Sequence, residues 1–168
     1  MKPALFFEFT VDKVNNTVNI QREFAAGIDL VWEAWTNPEI IDQWWAPKPY
    51  QNKTKSMDFR VGGMWLYSMT SPTNDVHWCK ADYLAIDAGK SFSHHDNFCD
   101  ENGNVGEKFP NSKWNILFRK NGESTTVQVT ITHDNLASME RVIEMGFKEG
   151  FTMAMTNLDE VLLSHSSK

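Results

Sequence analysis

The chain has 168 residues, of which 41% are hydrophobic and 23% charged, the balance of an ordinary globular protein and enough to bury on the order of 70% of its unfolded surface in one domain. Sixteen Lys and Arg against 22 Asp and Glu give a formal net charge of -6, which repels a polyphosphate and leaves no cationic excess for an anionic membrane, so nucleic-acid binding and membrane attachment are disfavoured. Two cysteines, Cys79 and Cys99, make at most one bridge, and that count fits a reducing compartment. The apolar run before Glu8 is too short for a signal-peptide core, and no window approaches the ~18 apolar residues of a membrane span. The expected location is the cytoplasm.

Apolar residues alternate through Phe7, Phe9 and Val11, then through Val18, Ile20, Arg22 and Phe24, across a polar Asn15-Asn16, which predicts two strands or one bent hairpin. The period then changes: Asp29 is a helix-cap type, and Val31, Trp32 and Trp35 lie on one helical stripe. A second short helix should start with Asn37 as cap, Pro38 at the first helical position and Glu39 near the positive end of the dipole. Ile40, Ile41, Trp44 and Trp45 form its buried side, and Pro47 and Pro49 end it. From Lys53 to His133 the spacing predicts strands over Thr54 to Arg60, Met64 to Met69, Val76 to Ile86, Ser91 to Phe98, Trp114 to Lys120 and Thr125 to His133. Turn residues such as Gly62-Gly63, Asn102-Gly103 and Asn121-Gly122 divide them, so neighbours should pair as an antiparallel meander. Ile143, Phe147, Phe151, Ala154, Leu158 and Leu162 then share one stripe of a closing amphipathic helix. The whole reads as one α+β unit without repeats or linkers.

Few residues carry an obvious chemistry. His94-His95-Asp96 with Cys99 holds zinc-ligand types, but adjacent residues on a strand point to opposite faces, and no Cys-x-x-Cys spacing is present, so no metal is expected. His77 and Cys79 share a strand face. A thiol beside a histidine can be a nucleophile, and a small core cysteine beside a polar histidine is the plainer alternative. Asp58 and Arg60 also share a face: Arg60 is either an anion anchor or half of an ion pair that fixes the Gly62-Gly63 turn. No Ser-His-Asp order, phosphate loop or helical His-Glu-x-x-His is visible, so no catalytic residue and no cofactor is assigned. Trp65, Tyr67 and Met69 alternate on one strand face, and Trp114, Ile116 and Phe118 on another, so that such faces can line an apolar cavity.

The order of elements, together with Arg22-Glu23-Phe24, the block from Val31-Trp32 through Thr36-Asn37-Pro38-Glu39 to Trp44-Trp45, and Asp58-Phe59-Arg60 ahead of Gly62-Gly63, resembles the START-like or helix-grip superfamily. Within it the chain looks like the branch named after the C-terminal domain of the activator of heat-shock protein 90 ATPase. Asp100 to Asn104 and the Gly150-Phe151 pair before Leu158 also fit, and the likeness runs from about residue 18 to 163. Ala25-Ala26-Gly27 stands where the family usually has an Asp-Ala-Pro type entry, and Phe151 where it usually has Trp. The resemblance implies a curved antiparallel sheet around a long C-terminal helix, two short helices after the first strand, and a cavity between sheet and helix. Its lining would include Trp65, Tyr67, Met69, His77, Cys79, His95, Trp114, Phe118, Phe147, Phe151 and Ala154, and its occupant would be a small, largely apolar molecule bound without catalysis. A chaperone-accessory module acting through its surface is the alternative, although 168 residues leave no room for the separate N-terminal domain of the full activators. A cyclase or hydrolase using cavity water and His77 or His95 is a third reading, and a monomer and a homodimer remain equally open.

Overall fold

The computed structural model describes residues 5–105 and 111–166. In chain order these form β1 (Phe7–Asp12), β2 (Thr17–Phe24), α1 (Ile28–Thr36), α2 (Pro38–Ile41), β3 (Gln51–Met57), β4 (Met64–Thr70), β5 (Val76–Asp87), β6 (Ser91–Cys99), β7 (Ser112–Asn121), β8 (Ser124–His133), α3 (Leu136–Glu144) and α4 (Phe147–Ser166). The eight strands make one sheet in the order β1-β2-β8-β7-β6-β5-β4-β3, antiparallel throughout. Every neighbour is a hairpin partner except the β2 and β8 pair, where Thr17 faces Thr132 and Phe24 faces Thr125. Register shifts at Thr54/Ser56 in β3 and Tyr83/Ala85 in β5 are the bulges that bend such a sheet. The α+β class, the curved sheet, the paired short helices and the long closing helix all agree with the sequence reading.

Local chemistry explains most of the boundaries. Asn16 takes φ 54 in the β1-β2 turn, a conformation asparagine tolerates better than most residues. Asn37 caps α2 by accepting the Glu39 N–H at 3.0 Å, with Pro38 at the first position, as expected. At α1 the expectation is corrected: Gly27 is the cap and makes no side-chain bond, while Asp29 lies in the first turn, where its charge suits the helix dipole. The closing helix is also not continuous. Gly146 adopts φ +94 and donates to the Ile143 carbonyl at 3.0 Å, ending α3, and α4 begins at once beyond it. β3 lies earlier than its apolar residues predict, because Asp42 after α2 accepts hydrogen bonds from Asn52 Nδ2 (2.8 Å), Thr54 N (3.0 Å) and Thr54 Oγ1 (2.7 Å) and fixes this polar strand in place.

The core fills the space between the inner sheet face and α1, α2 and α4. Val18, Ile20, Ile116, Val127, Val129 and Leu158 are buried there, and Trp44 is fully enclosed with its Nε1 donating to the Ala34 carbonyl at 3.0 Å. Polar links that reach the buried side hold α4 to the rest, besides the exposed Lys48–Glu160 pair. Buried Asn157 donates to the carbonyls of Trp44 (3.4 Å) and Ala46 (3.2 Å), and Arg22 of β2 pairs with Asp159. Gly63 is required by close approach, since a Cβ there would sit 2.0 Å from the Asp58 carbonyl oxygen. Among the described residues no helix is long and apolar enough to cross a membrane.

Candidate functional site

The inner faces of β4 to β8 approach α3 and the start of α4 without closing on them. Gly150 and Ala154, one helical turn apart on α4, present almost no side chain to this space, and a cavity of about 330 Å³ remains. Tyr67 and Met69 of β4, Cys79 of β5, Trp114 of β7, and Phe147 and Phe151 of α4 form its apolar wall. The rings of Trp114, Phe147 and Phe151 touch one another at centroid distances of 5.4 to 6.1 Å and form its firmest side.

Three of its polar groups lie in a row. Asp96 on β6 faces Ser112 on β7, and Ser112 faces His133 on β8, so three in-register side chains share the inner face at one end of the cavity. Ser112 Oγ accepts from Trp114 Nε1 at 3.1 Å. His133 is 7% exposed and its Nδ1 has no partner; burial pulls its pKa below the ordinary value of 6.5, with Asp134 opposing, so the imidazole is neutral at pH 7. His94 Nδ1 lies 2.5 Å from Asp96 Oδ1, but the approach lacks hydrogen-bond alignment, and both atoms are otherwise without a hydrogen-bond partner. Burial pushes the Cys79 thiol up to about 12, reinforced by Asp96 and Cys99, and drives the Tyr67 hydroxyl well above 10.0, so both stay protonated. This thiol is a core cysteine and a poor nucleophile.

Of the residues expected at the cavity, Tyr67, Met69, Cys79, Trp114, Phe147, Phe151 and Ala154 are brought together. Four others are placed elsewhere. Trp65 has the right face, but its ring stacks on Tyr67 at 3.9 Å and its Nε1 donates to Thr54 Oγ1, outside the lining. Phe118 lies further along β7 against Trp32, Trp35 and Phe92. His77 shares the face of Cys79 but sits exposed at the start of β5, near Tyr50. His95 points to the outer face, because His94 takes the inner one and successive strand residues alternate. Arg60 is exposed in the turn after β3, where its Nε donates to Asp58 Oδ2 at 2.7 Å. Cys99 is opposite Trp78 and Cys79 opposite Phe98, so the two thiols face opposite sides of the sheet and both are free. No three His, Cys, Asp or Glu gather around a common point among the described residues. Asp96, Ser112 and His133 escaped the sequence reading as lining residues; the parity of β6 marks Asp96 as inward with His94, but the register that aligns all three is not a local signal.

The family model described as "Activator of Hsp90 ATPase homolog 1-like protein" matches residues 25–163. No curated protein is significantly similar in sequence. Among solved structures, protein Ms6760 from Mycobacterium smegmatis is 25% identical, superposes with a TM-score of 0.87, and the match covers 96% of this chain and 99% of that one. A protein from Arthrobacter aurescens is also 25% identical, with a TM-score of 0.88 over 94% of this chain and 91% of that one. One from Staphylococcus epidermidis, again 25% identical, gives 0.82 over 93% and 94%.

Proposed function

The chain belongs to the Activator of Hsp90 ATPase homolog 1-like family, of the START-like helix-grip superfamily, and from that premise we propose that it binds a small, largely apolar molecule in the cavity between the sheet and α4. The observation that supports this reading is the cavity itself. At about 330 Å³ it falls at the lower end of small-molecule sites of roughly 300–1,000 Å³, and a mostly apolar wall with a few convergent polar groups is the usual make-up of such sites. Family membership alone does not choose between a ligand carrier and a chaperone accessory, because one fold hosts many activities. Binding without catalysis is the preferred reading, since Cys79 is held protonated and Ser112 Oγ is engaged by Trp114.

A neutral apolar fluorophore, N-phenyl-1-naphthylamine, titrated into the protein should quench the emission of Trp45 and Trp114 saturably, because both border the cavity. Ala154→Trp should abolish that quenching while the protein still melts cooperatively. A wild type that binds no apolar probe, with an Ala154→Trp variant destabilised by roughly 1 to 3 kcal/mol, would mean a packed interior. That result would overturn the ligand reading in favour of a surface-acting accessory, which is tested by stimulation of a heat-shock protein 90 ATPase on adding this chain.

A further inference from the structure

The polar end of the cavity narrows the chemistry of its occupant, an inference that rests on the ligand-binding reading above. Asp96 lines the cavity with its side chain 17% exposed, and its buried Oδ1 accepts no hydrogen bond among the described residues. Among the described residues its one ion-pair contact is the misaligned approach of His94 Nδ1. His94 is itself held, with its ring stacked on Trp114 at 5.8 Å and on Phe92 at 5.8 Å. A buried carboxylate left with open lone pairs carries a desolvation cost, which a cationic donor relieves best.

No Lys or Arg lines the cavity among the described residues. Of the basic side chains on the packed elements, Arg22 pairs with Asp159, Lys48 with Glu160 and Lys80 with Asp82, Lys148 lies over the Phe9 ring, Lys113 is exposed on the outer face of β7 opposite His95, and Arg141 is exposed on α3. Tyr67, Cys79 and His133, the other titratable groups on the wall, are uncharged at neutral pH. Asp96 is therefore the one carboxylate on a wall that carries no Lys or Arg among the described residues, and in a space of low dielectric a carboxylate repels a like charge far more strongly than in water.

We propose that the cavity selects an apolar amine, its protonated nitrogen at Asp96 and its hydrocarbon body against Tyr67, Met69, Phe147 and Phe151, and that it rejects the corresponding carboxylate. The row then has a division of labour. Asp96 supplies the charge, and neutral His133, two strands away, offers one uncharged hydrogen-bonding position for a second polar group.

The test is an isosteric series: decylamine, decanol and decanoate, each below its micelle concentration, titrated by Trp quenching at pH 7.4. Decylamine should bind at least tenfold more tightly than decanol, and decanoate more weakly than either. Asp96→Asn should bring decylamine to the level of decanol in the same variant, with Ala154→Trp removing all three. The wild-type ranking decides the sign of the head group even if Asp96→Asn does not fold. Decanoate binding as tightly as decylamine would overturn the amine assignment and leave the ligand site standing, as would an amine preference that survives in folded Asp96→Asn. If none of the three binds, the ligand reading itself fails and the inference falls with it.

Discussion

The two ends of the interior use the same residue types to opposite effect. Under α1 and α2, Trp32 meets Phe59, Phe92 and Phe118, and Trp35 meets Trp44 and Trp45, at centroid distances of 4.8 to 5.9 Å and with mostly edge-to-face contacts. Under the start of α4, Trp114, Phe147 and Phe151 are only slightly further apart, at 5.4 to 6.1 Å, but form one side of a cavity. The difference lies in what the helix presents to the sheet. α1 sends Trp32 and Trp35 into the space and the turn after α2 adds Trp44 and Trp45, whereas α4 places Gly150 and Ala154 between its two phenylalanines. Aromatic content does not distinguish a core from a cavity; the size of the facing residue does.

The largest break in this contrast should come from Trp44→Ala. Trp44 is fully enclosed and hydrogen-bonded, so its removal should cost about 3 to 5 kcal/mol, read as a lowered urea midpoint. A paired substitution sharpens the comparison. Ala34→Leu, at a fully buried position of α1, should overpack and cost roughly 1 to 3 kcal/mol, while Ala154→Leu, facing the cavity, should cost much less or stabilise. Equal losses in the two variants would mean that the two ends are equally packed.

A smaller effect follows from His133. Its native pKa lies below 6.5, so as the pH falls through 6.5 the unfolded chain takes up a proton before the native one does, and stability declines. Its contribution is full above the unfolded pKa and is lost as the pH falls through the native pKa. His133→Gln should flatten the difference in urea midpoint between pH 7.5 and pH 5. The mildest probe is alkylation by iodoacetamide at pH 8: partly exposed Cys99 should react first and Cys79, buried and pushed up to about 12, should stay unmodified until the protein unfolds.

Much of the fold was legible because period-2 alternation and turn residues mark a meander, and because Asn37-Pro38-Glu39 is a complete helix start. What escaped was fixed by partners distant in sequence. Gln51 to Ser56 has no apolar alternation, and its strand is set by Asp42. Gly146 lies within a stripe that continues on both sides of it, so hydrophobic spacing alone hides the break. At the cavity, face parity identified Tyr67, Met69, Cys79 and Trp114. It could not tell how far along a strand the space extends, and so it also admitted Phe118 and His77. Asp96 and His133 come together only through two hairpin registers, which depend on how many residues each strand and turn takes up.

The pairing of β2 with β8 also sets an order on assembly. Phe24 waits for Thr125, and Thr17 for Thr132, across the whole meander, so closing this ladder carries the chain-entropy cost of a loop of roughly a hundred residues while its reward comes late. Contacts of such sequence separation slow folding. During synthesis the tryptophans of α1 and α2 emerge long before the strand that seats β2 and the helix that covers them. The early chain therefore exposes its stickiest segment for most of translation, and destabilising the β3 to β7 meander should lower the yield of soluble protein more than its effect on native stability would indicate.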